Sequence, residues 1–166
     1  MESMSAHPVR IRVFGGLEIE IDGRPLQFGR RAPRKCLDLL GALIACGDCQ
    51  VNVGSVCDLL WPNVDGDDAY AAFTITLHRL RRLLGHPDAV LLSSGRLKVN
   101  TDRCWVDAFE LERSLRKGSV AANDMRVFEL CARPFLAGDD SPWALGAQAR
   151  IEHLVRRSFH LRVSSR

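Results

Sequence analysis

The sequence predicts an α+β fold: a small antiparallel sheet, three helices, then a β-hairpin. Three observations carry this expectation. Residues 9–28 alternate apolar and polar side chains in short runs separated by turn signals. Residues 36–84 carry apolar side chains at helical spacing instead. Residues 89–99 return to two short strand-like runs around a Ser-Gly pair. The remainder, 107–166, reads as helical.

The chain has 166 residues, 46% of them hydrophobic and 26% charged, with a formal net charge of +3. That length suits one compact domain, or a small domain with an appendage. The composition is that of a globular protein rather than a disordered one. The net charge is too small to indicate nucleic acid by itself, so any such argument rests on where the charges lie. No apolar run reaches the roughly 18 residues of a membrane span. Met1-Glu-Ser-Met-Ser-Ala-His-Pro8 lacks the basic and apolar blocks of a signal peptide. The expected location is the cytoplasm, with no membrane partner.

Six cysteines occur, at 36, 46, 49, 57, 104 and 131. A cytosolic chain of this length does not need a disulfide framework. Cys36, Cys46 and Cys57 sit among apolar residues, where a thiol acts as a small hydrophobe. Cys46-Gly-Asp-Cys49 has the spacing of a metal or redox motif. It ends a predicted helix rather than starting one, and no second close pair completes a zinc site. No metal or cofactor is expected.

Taken in order, residues 1–8 form a disordered lead-in. Val9-Arg-Ile-Arg-Val-Phe14 is a strand with Val9, Ile11 and Val13 on one face. Gly15-Gly16 turns the chain into a second strand, Leu17 to Ile21. Asp22-Gly23 is a hairpin signal, followed by a short strand from Arg24 to Phe28. Cys36 to Ala45 is the first helix, with Pro33 suiting its first turn and Gly47 as its stop. Gln50 to Val53 is a short extended connector. Gly54 to Trp61 is a two-turn helix ended by Pro62. Asp67 and Asp68 stand at the start of a long third helix, about 66–84, where the helix dipole favours anions.

At about 100° per residue this helix divides into two faces. Ala69, Ala72, Phe73, Leu77, Leu80, Leu83 and Leu84 fall on one side, and Thr76 goes with them. Ala71, Thr74, Ile75, His78, Arg79 and Arg82 fall on the other, with Arg81 at the border. Arginines with small and apolar groups are the mix a helix uses in a DNA major groove. The alternative is an ordinary solvated helix face. Arg30, Arg31, Arg34 and Lys35 crowd the start of the first helix, where the dipole disfavours cations. They read either as a phosphate or partner contact or as a solvent-screened cluster.

Gly85-His-Pro87 ends the long helix. Ala89–Ser93 and Arg96–Val99 then flank Ser94-Gly95 as a hairpin, and Cys104-Trp-Val106 returns as a last short strand. Sheet, helix, short helix, long basic helix and hairpin, in that order, make a winged helix-turn-helix. In that geometry the third helix enters the major groove and the hairpin wing, about 90–99, lies on the backbone or in the minor groove.

Residues 10–106 resemble the OmpR/PhoB-type winged-helix DNA-binding domain, which the N-terminal β-meander distinguishes from other winged helices. His78-Arg-Leu-Arg-Arg-Leu-Leu84 is similar to that family's recognition-helix core. A narrower resemblance is to SARP/BTAD-like bacterial transcriptional activators. It rests on Ile11-Arg-Val-Phe-Gly-Gly-Leu17, Arg34-Lys-Cys-Leu-Asp-Leu-Leu40, Leu59-Leu-Trp-Pro62, Leu77–Leu84 and Val106-Asp-Ala-Phe109, in that order. The resemblance implies base readout by Thr74, Ile75, His78 and Arg79. It implies phosphate contacts by Arg81 and Arg82, and wing contacts by Ser94, Arg96 and Lys98. The helical wheel places Thr74, Ile75, His78, Arg79 and Arg82 outward independently of the family.

In the last segment, Asp107-Ala-Phe-Glu110 reads as a capping box that starts a helix ending near Gly118. A second helix is expected over Met125 to Cys131. Ser141-Pro142 opens a third, with Leu145, Ile151, Leu154, Val155, Phe159 and Leu161 lining a partner helix. Residues 107–166 resemble the start of a bacterial transcriptional activation domain built of tetratricopeptide-like helix pairs, on the strength of Pro134-Phe-Leu136 and Trp143. They supply fewer helices than that domain has. Either the chain is a truncated form of a longer activator, or these helices complete themselves by packing on the winged helix or on another chain.

The expected function is a sequence-specific double-stranded DNA-binding transcriptional regulator, by resemblance an activator. Homodimeric or tandem binding on repeats and contact with RNA polymerase are the further partners considered. The alternative is a protein-interaction module that engages RNA polymerase or itself on a winged-helix scaffold. No enzyme is expected: His7, His78, His86, His153 and His160 pair with no serine or cysteine at an informative spacing, and no phosphate loop or zinc helix occurs.

Overall fold

A computed structural model describes residues 7–117, 129–130 and 132–163. Strand β1 (Val9–Arg12) pairs antiparallel with β2 (Glu18–Ile21), from Val9 opposite Ile21 to Arg12 opposite Glu18. Asp22 and Gly23 join β2 to β3 (Arg24–Pro25) with φ of 48° and 77°. Two successive positive φ values match the twist of the flanking strands, which is why Asp-Gly is favoured there. The third strand is shorter than the expected run to Phe28. Pro25 stands opposite Glu20 on this edge strand, where the ladder needs no donor from it. Leu26 donates a last hydrogen bond to the Ile19 carbonyl at 2.7 Å.

Helix α1 (Arg34–Ala45) follows, then β4 (Val51–Asn52) and α2 (Val53–Leu60). Asn52 caps α2 by accepting from the Gly54 N–H at 2.7 Å. Helix α3 (Gly66–Leu83) leads to β5 (Val90–Ser93) and β6 (Arg96–Val99). Ser94 and Gly95, at φ 51° and 71°, form the hairpin tip. β4 joins this hairpin as a third strand, in the order β4-β6-β5. β7 (Cys104–Val106) runs parallel to β1 and extends the N-terminal meander to the order β3-β2-β1-β7.

The core gathers around α1. Leu39, Leu40, Leu43 and Ile44 are fully buried with Val9, Ile11 and Val13 of the sheet side. Phe73, Leu80 and Leu84 join them from α3, and Val90 and Leu97 from the hairpin. Each such side chain contributes roughly 1.5–3 kcal/mol by leaving water. No helix of the described residues is long and apolar enough to cross a membrane.

Beyond the hairpin sheet lie α4 (Asp107–Arg116) and α5 (Pro142–Val163). The expected helix over Met125 to Cys131 falls largely outside the described residues; Glu129 and Leu130 are helical. The capping box expected at Asp107 is corrected by the structure. Val106 is the cap, because β7 runs into α4 without a loop, and Asp107 is carried inside the fold. Its carboxylate accepts from the Val13 N–H at 3.0 and 3.1 Å, from Phe14 at 3.4 Å and from Ala108 at 2.8 Å. It therefore ties α4 to the end of β1.

Helix α5 packs on α1 and α4, and its buried residues belong to the same core. Gly41 makes this possible: a Cβ there would stand 2.9 Å from Cη2 of Trp143. The Gly15 N–H donates to the Pro134 carbonyl at 2.9 Å, and Leu136 to Val13 at 2.7 Å. The rings of Phe14 and Phe135 meet edge to face at 6.4 Å. Arg150 donates to the Ala45 carbonyl at 2.9 Å, which suits the C-terminal end of α1, and pairs with buried Glu112 at 3.1 Å. The buried stripe of α5 is Ala144, Ala147 and Ile151. Leu145, expected on it, is exposed, since the small alanines are what let α5 approach. Leu154 and Val155 are half-buried, and the side chains of Phe159 and Leu161 lie outside the described residues. The Ser141 hydroxyl, at the start of α5, donates to the Asp139 carboxylate.

Candidate nucleic-acid interface

Helix α3 is built to stand with one face bare. Asp67 and Asp68 occupy its first turn and Arg81 and Arg82 its last, each favourable to the helix dipole. Ala69, Phe73, Leu77 and Leu80 dock it on the core. Thr76 is buried with them, its hydroxyl donating to the Ala72 carbonyl at 2.8 Å, in keeping with its exclusion from the outer face. Gly85, at φ 70°, ends the helix.

Thr74, Ile75, His78, Arg79 and Arg82 are all exposed on the opposite face. Ile75 is 53% exposed. The Thr74 hydroxyl donates to the Tyr70 carbonyl at 2.9 Å, which directs its oxygen lone pairs outward. Tyr70, 55% exposed, begins the same row of side chains, four residues before Thr74. Sequence reasoning passed over it, although the four-residue spacing 70, 74, 78, 82 was there to be read. The face is acidic at its N-terminal end, through exposed Asp65, Asp67 and Asp68, and basic at its C-terminal end.

Arg81 behaves differently from its neighbours. It is half-buried, and its Nε and Nη2 donate to the Val90 carbonyl at 3.0 and 2.7 Å. The side chain expected to meet phosphate here ties α3 to the base of the hairpin. The border position on the wheel brings the side chain within reach of β5.

The expected cluster at 30–35 disperses in space. Arg30 and Arg31 are exposed in the approach to α1. Pro33 and Cys36 share a shallow depression with Arg79, Arg82 and Leu83, so the start of α1 lies beside the basic half of α3. Burial pushes the Cys36 thiol up, and Arg79 partly offsets this. Arg34 instead lines a cavity of about 420 Å³ with Leu37, Asp38, Asp139, Asp140 and Trp143, away from α3. Burial pushes the Asp38 carboxyl up, opposed by Lys35 and Arg34 and helped by Asp139. Lys35 donates to the Leu60 carbonyl at 2.9 Å and lies 5.4 Å from the Trp61 ring, so it caps the C-terminus of α2. The reason is the packing of α1 on α2, which the local sequence does not reveal.

On the wing, Ser94 and Arg96 are exposed. Lys98 pairs with Asp48 at 3.4 Å, and Asp48 also stands 4.0 Å from Arg113 of α4. Its expected nucleic-acid contact therefore requires that it exchange one anion for another. Cys46 and Cys49 are exposed free thiols, and Cys36, Cys57 and Cys104 buried ones. Among the described residues no group of histidine, cysteine and carboxylate side chains is placed to hold a metal.

No family model matches the chain, and no curated protein matches it. Among solved structures it is similar to Mycobacterium tuberculosis EmbR in complex with a low-affinity phosphopeptide, with a TM-score of 0.64 at 20% identity. The match covers 90% of this chain and 43% of that one, so the chain spans less than half of EmbR's length. At this identity the likeness is one of fold, and it extends through the winged-helix elements into the helices after them.

Proposed function

We propose that this chain is a transcription-regulator module that reads double-stranded DNA. Helix α3 enters the major groove, and the β5–β6 hairpin lies on the neighbouring backbone or minor groove. The observation that carries the reading is the outer face of α3. It keeps Ile75 and Tyr70 in solvent beside His78, Arg79 and Arg82, a mix that the packing of the fold does not call for.

In this reading Arg79 meets a guanine edge, His78 and Thr74 offer hydrogen bonds to base edges, and Ile75 and Tyr70 cover thymine methyls. Arg82 meets phosphate, and Arg30 and Arg31 reach the flanking backbone from the adjoining start of α1. Ser94 and Arg96 touch the backbone from the wing. Each good bidentate base contact adds about 1–3 kcal/mol of discrimination. Phosphate contacts supply most of the non-specific affinity. The module acts in the cytoplasm and uses no catalytic step.

A second reading is favoured by one observation. Leu59 and Val64 are each 42% exposed beside Asp58, Asp65 and Asp67, which makes an acidic and apolar corner between α2 and α3. Such a corner suits a basic protein surface, RNA polymerase being the partner considered. The two readings separate in a retention experiment on random-sequence duplexes across a salt series. DNA binding predicts retention that falls steeply with salt and is largely lost in the Arg79→Ala, Arg82→Ala double variant. Retention unchanged in that variant would sink the assignment of α3, and no retention of the wild type would leave the protein-binding reading.

A further inference from the structure

We infer that Arg81 positions the wing against the recognition helix and is not itself a phosphate clamp. Its consequence for DNA rests on the reading above; the tie itself rests on geometry alone. The guanidinium sends two N–H groups to one acceptor, the Val90 carbonyl, at 3.0 and 2.7 Å. Val90 is the first residue of β5 and is fully buried. The intervening segment is itself pinned. Leu84 and Ala89 are fully buried. The Asn100 N–H donates to the Ala89 carbonyl at 2.9 Å, and Asn100 Nδ2 to the Asp88 carbonyl at 2.9 Å. Arg103 pairs with Asp88 at 2.8 Å. The base of the hairpin is therefore one firm block, and Arg81 fastens that block to the last turn of α3.

Arginine suits this role for a stereochemical reason. Its planar fork aims Nε and Nη2 together, whereas a lysine ammonium is a point donor on a flexible stem. A guanidinium with two donors committed to a carbonyl is poorly placed to grip a phosphate as well. Arg79 and Arg82, one turn apart on the outer face, have no such commitment among the bonds described. The tie fixes the separation of α3 and wing, so a duplex must satisfy both at once. Loosening it lowers discrimination without removing a phosphate contact.

The test compares the whole chain with Arg81→Ala, Arg81→Lys and Arg82→Ala in two measurements. The first is amide hydrogen exchange without DNA. Arg81→Ala and Arg81→Lys are expected to speed exchange over residues 90–99, and Arg82→Ala to leave it unchanged. Unchanged exchange in both Arg81 variants overturns the tie, whether or not the chain binds DNA. The second measures affinity for a duplex selected by the wild type from random DNA, and for an unselected random-sequence pool, across a salt series. Arg81→Ala is expected to lose about tenfold on the selected duplex, the scale of one charge-assisted hydrogen bond, and to keep the wild-type salt slope on the pool. Arg81→Lys is expected to lose as much. Arg82→Ala is expected to lower the slope by about 0.9, one phosphate. A slope lowered equally by Arg81→Ala and restored by Arg81→Lys overturns the inference in favour of a direct phosphate contact. Absence of DNA binding by the wild type removes the DNA reading, and the tie is then decided by exchange alone.

Discussion

Asp107 sits where β1, β7 and α4 converge, buried and surrounded by backbone N–H groups. Burial pushes its carboxyl above the ordinary value, and the N–H donors from Val13, Phe14 and Ala108 offset this only in part. A carboxyl raised in the fold adds stability that is fully present below its unfolded value, about 3.9. That contribution is lost as pH rises through the raised folded value. Asp107→Asn removes the titration and one acceptor oxygen, at a cost of about 1–3 kcal/mol. The destabilisation by Asp107→Asn, read from urea midpoints, is therefore expected to be greatest at acid pH and to shrink towards neutrality. A penalty that grows as pH rises would mean that the N–H donors outweigh burial. The sequence marked Asp107 as a helix start but not as a buried one, because its partners Val13 and Phe14 lie over ninety positions away. Arg81, Lys35 and Lys98 were likewise unreadable in this respect, since each bonds a carbonyl or carboxylate outside its own element. The outward set of α3 needed only local spacing, and it was legible except for Tyr70.

Among the elements, α1 bears the closest approach. Trp143 of α5 lies over Gly41, and an added Cβ would meet it at 2.9 Å. Gly41→Ala is expected to destabilise the chain by about 1–3 kcal/mol through overpacking, and Trp143→Phe in the same chain to recover part of the loss. Thermal melts of the single and double variants decide this; a neutral Gly41→Ala would mean that α5 is not seated there. The hairpin carries the second prediction at this scale. Asp48 holds Lys98 at 3.4 Å. Asp48→Asn is expected to release Lys98, tighten binding to random duplex and steepen the salt slope by up to about 0.9. An unchanged slope would place Lys98 off the DNA. Most strands and helices could be read from period and turn chemistry, including both positive-φ hairpin turns. The parallel pairing of β7 with β1 and the addition of β4 to the hairpin could not, since neither leaves a local pattern.

At the scale of the molecule, the winged-helix elements and the helices after them share one core. Phe135, Leu136, Ala144, Ala147 and Ile151 belong to the same cluster as Leu40 and Phe73. The sequence left open whether the last helices complete themselves on the winged helix or on another chain. Gly41, Asp107 and the Arg150 bridge from Glu112 to Ala45 are how they do so on the winged helix. This arrangement leaves the outer face of α3 and the tip of the wing uncovered by the rest of the described chain. The central claim is that this bare face reads DNA sequence. Its most direct test is selection of bound duplexes from random DNA by the whole chain, the Arg79→Ala variant and the Arg82→Ala variant. The account predicts a defined motif for the wild type, loss of preference at one position for Arg79→Ala, and the same motif at weaker affinity for Arg82→Ala. No enrichment by the wild type, or an unaltered motif with Arg79→Ala, would contradict it.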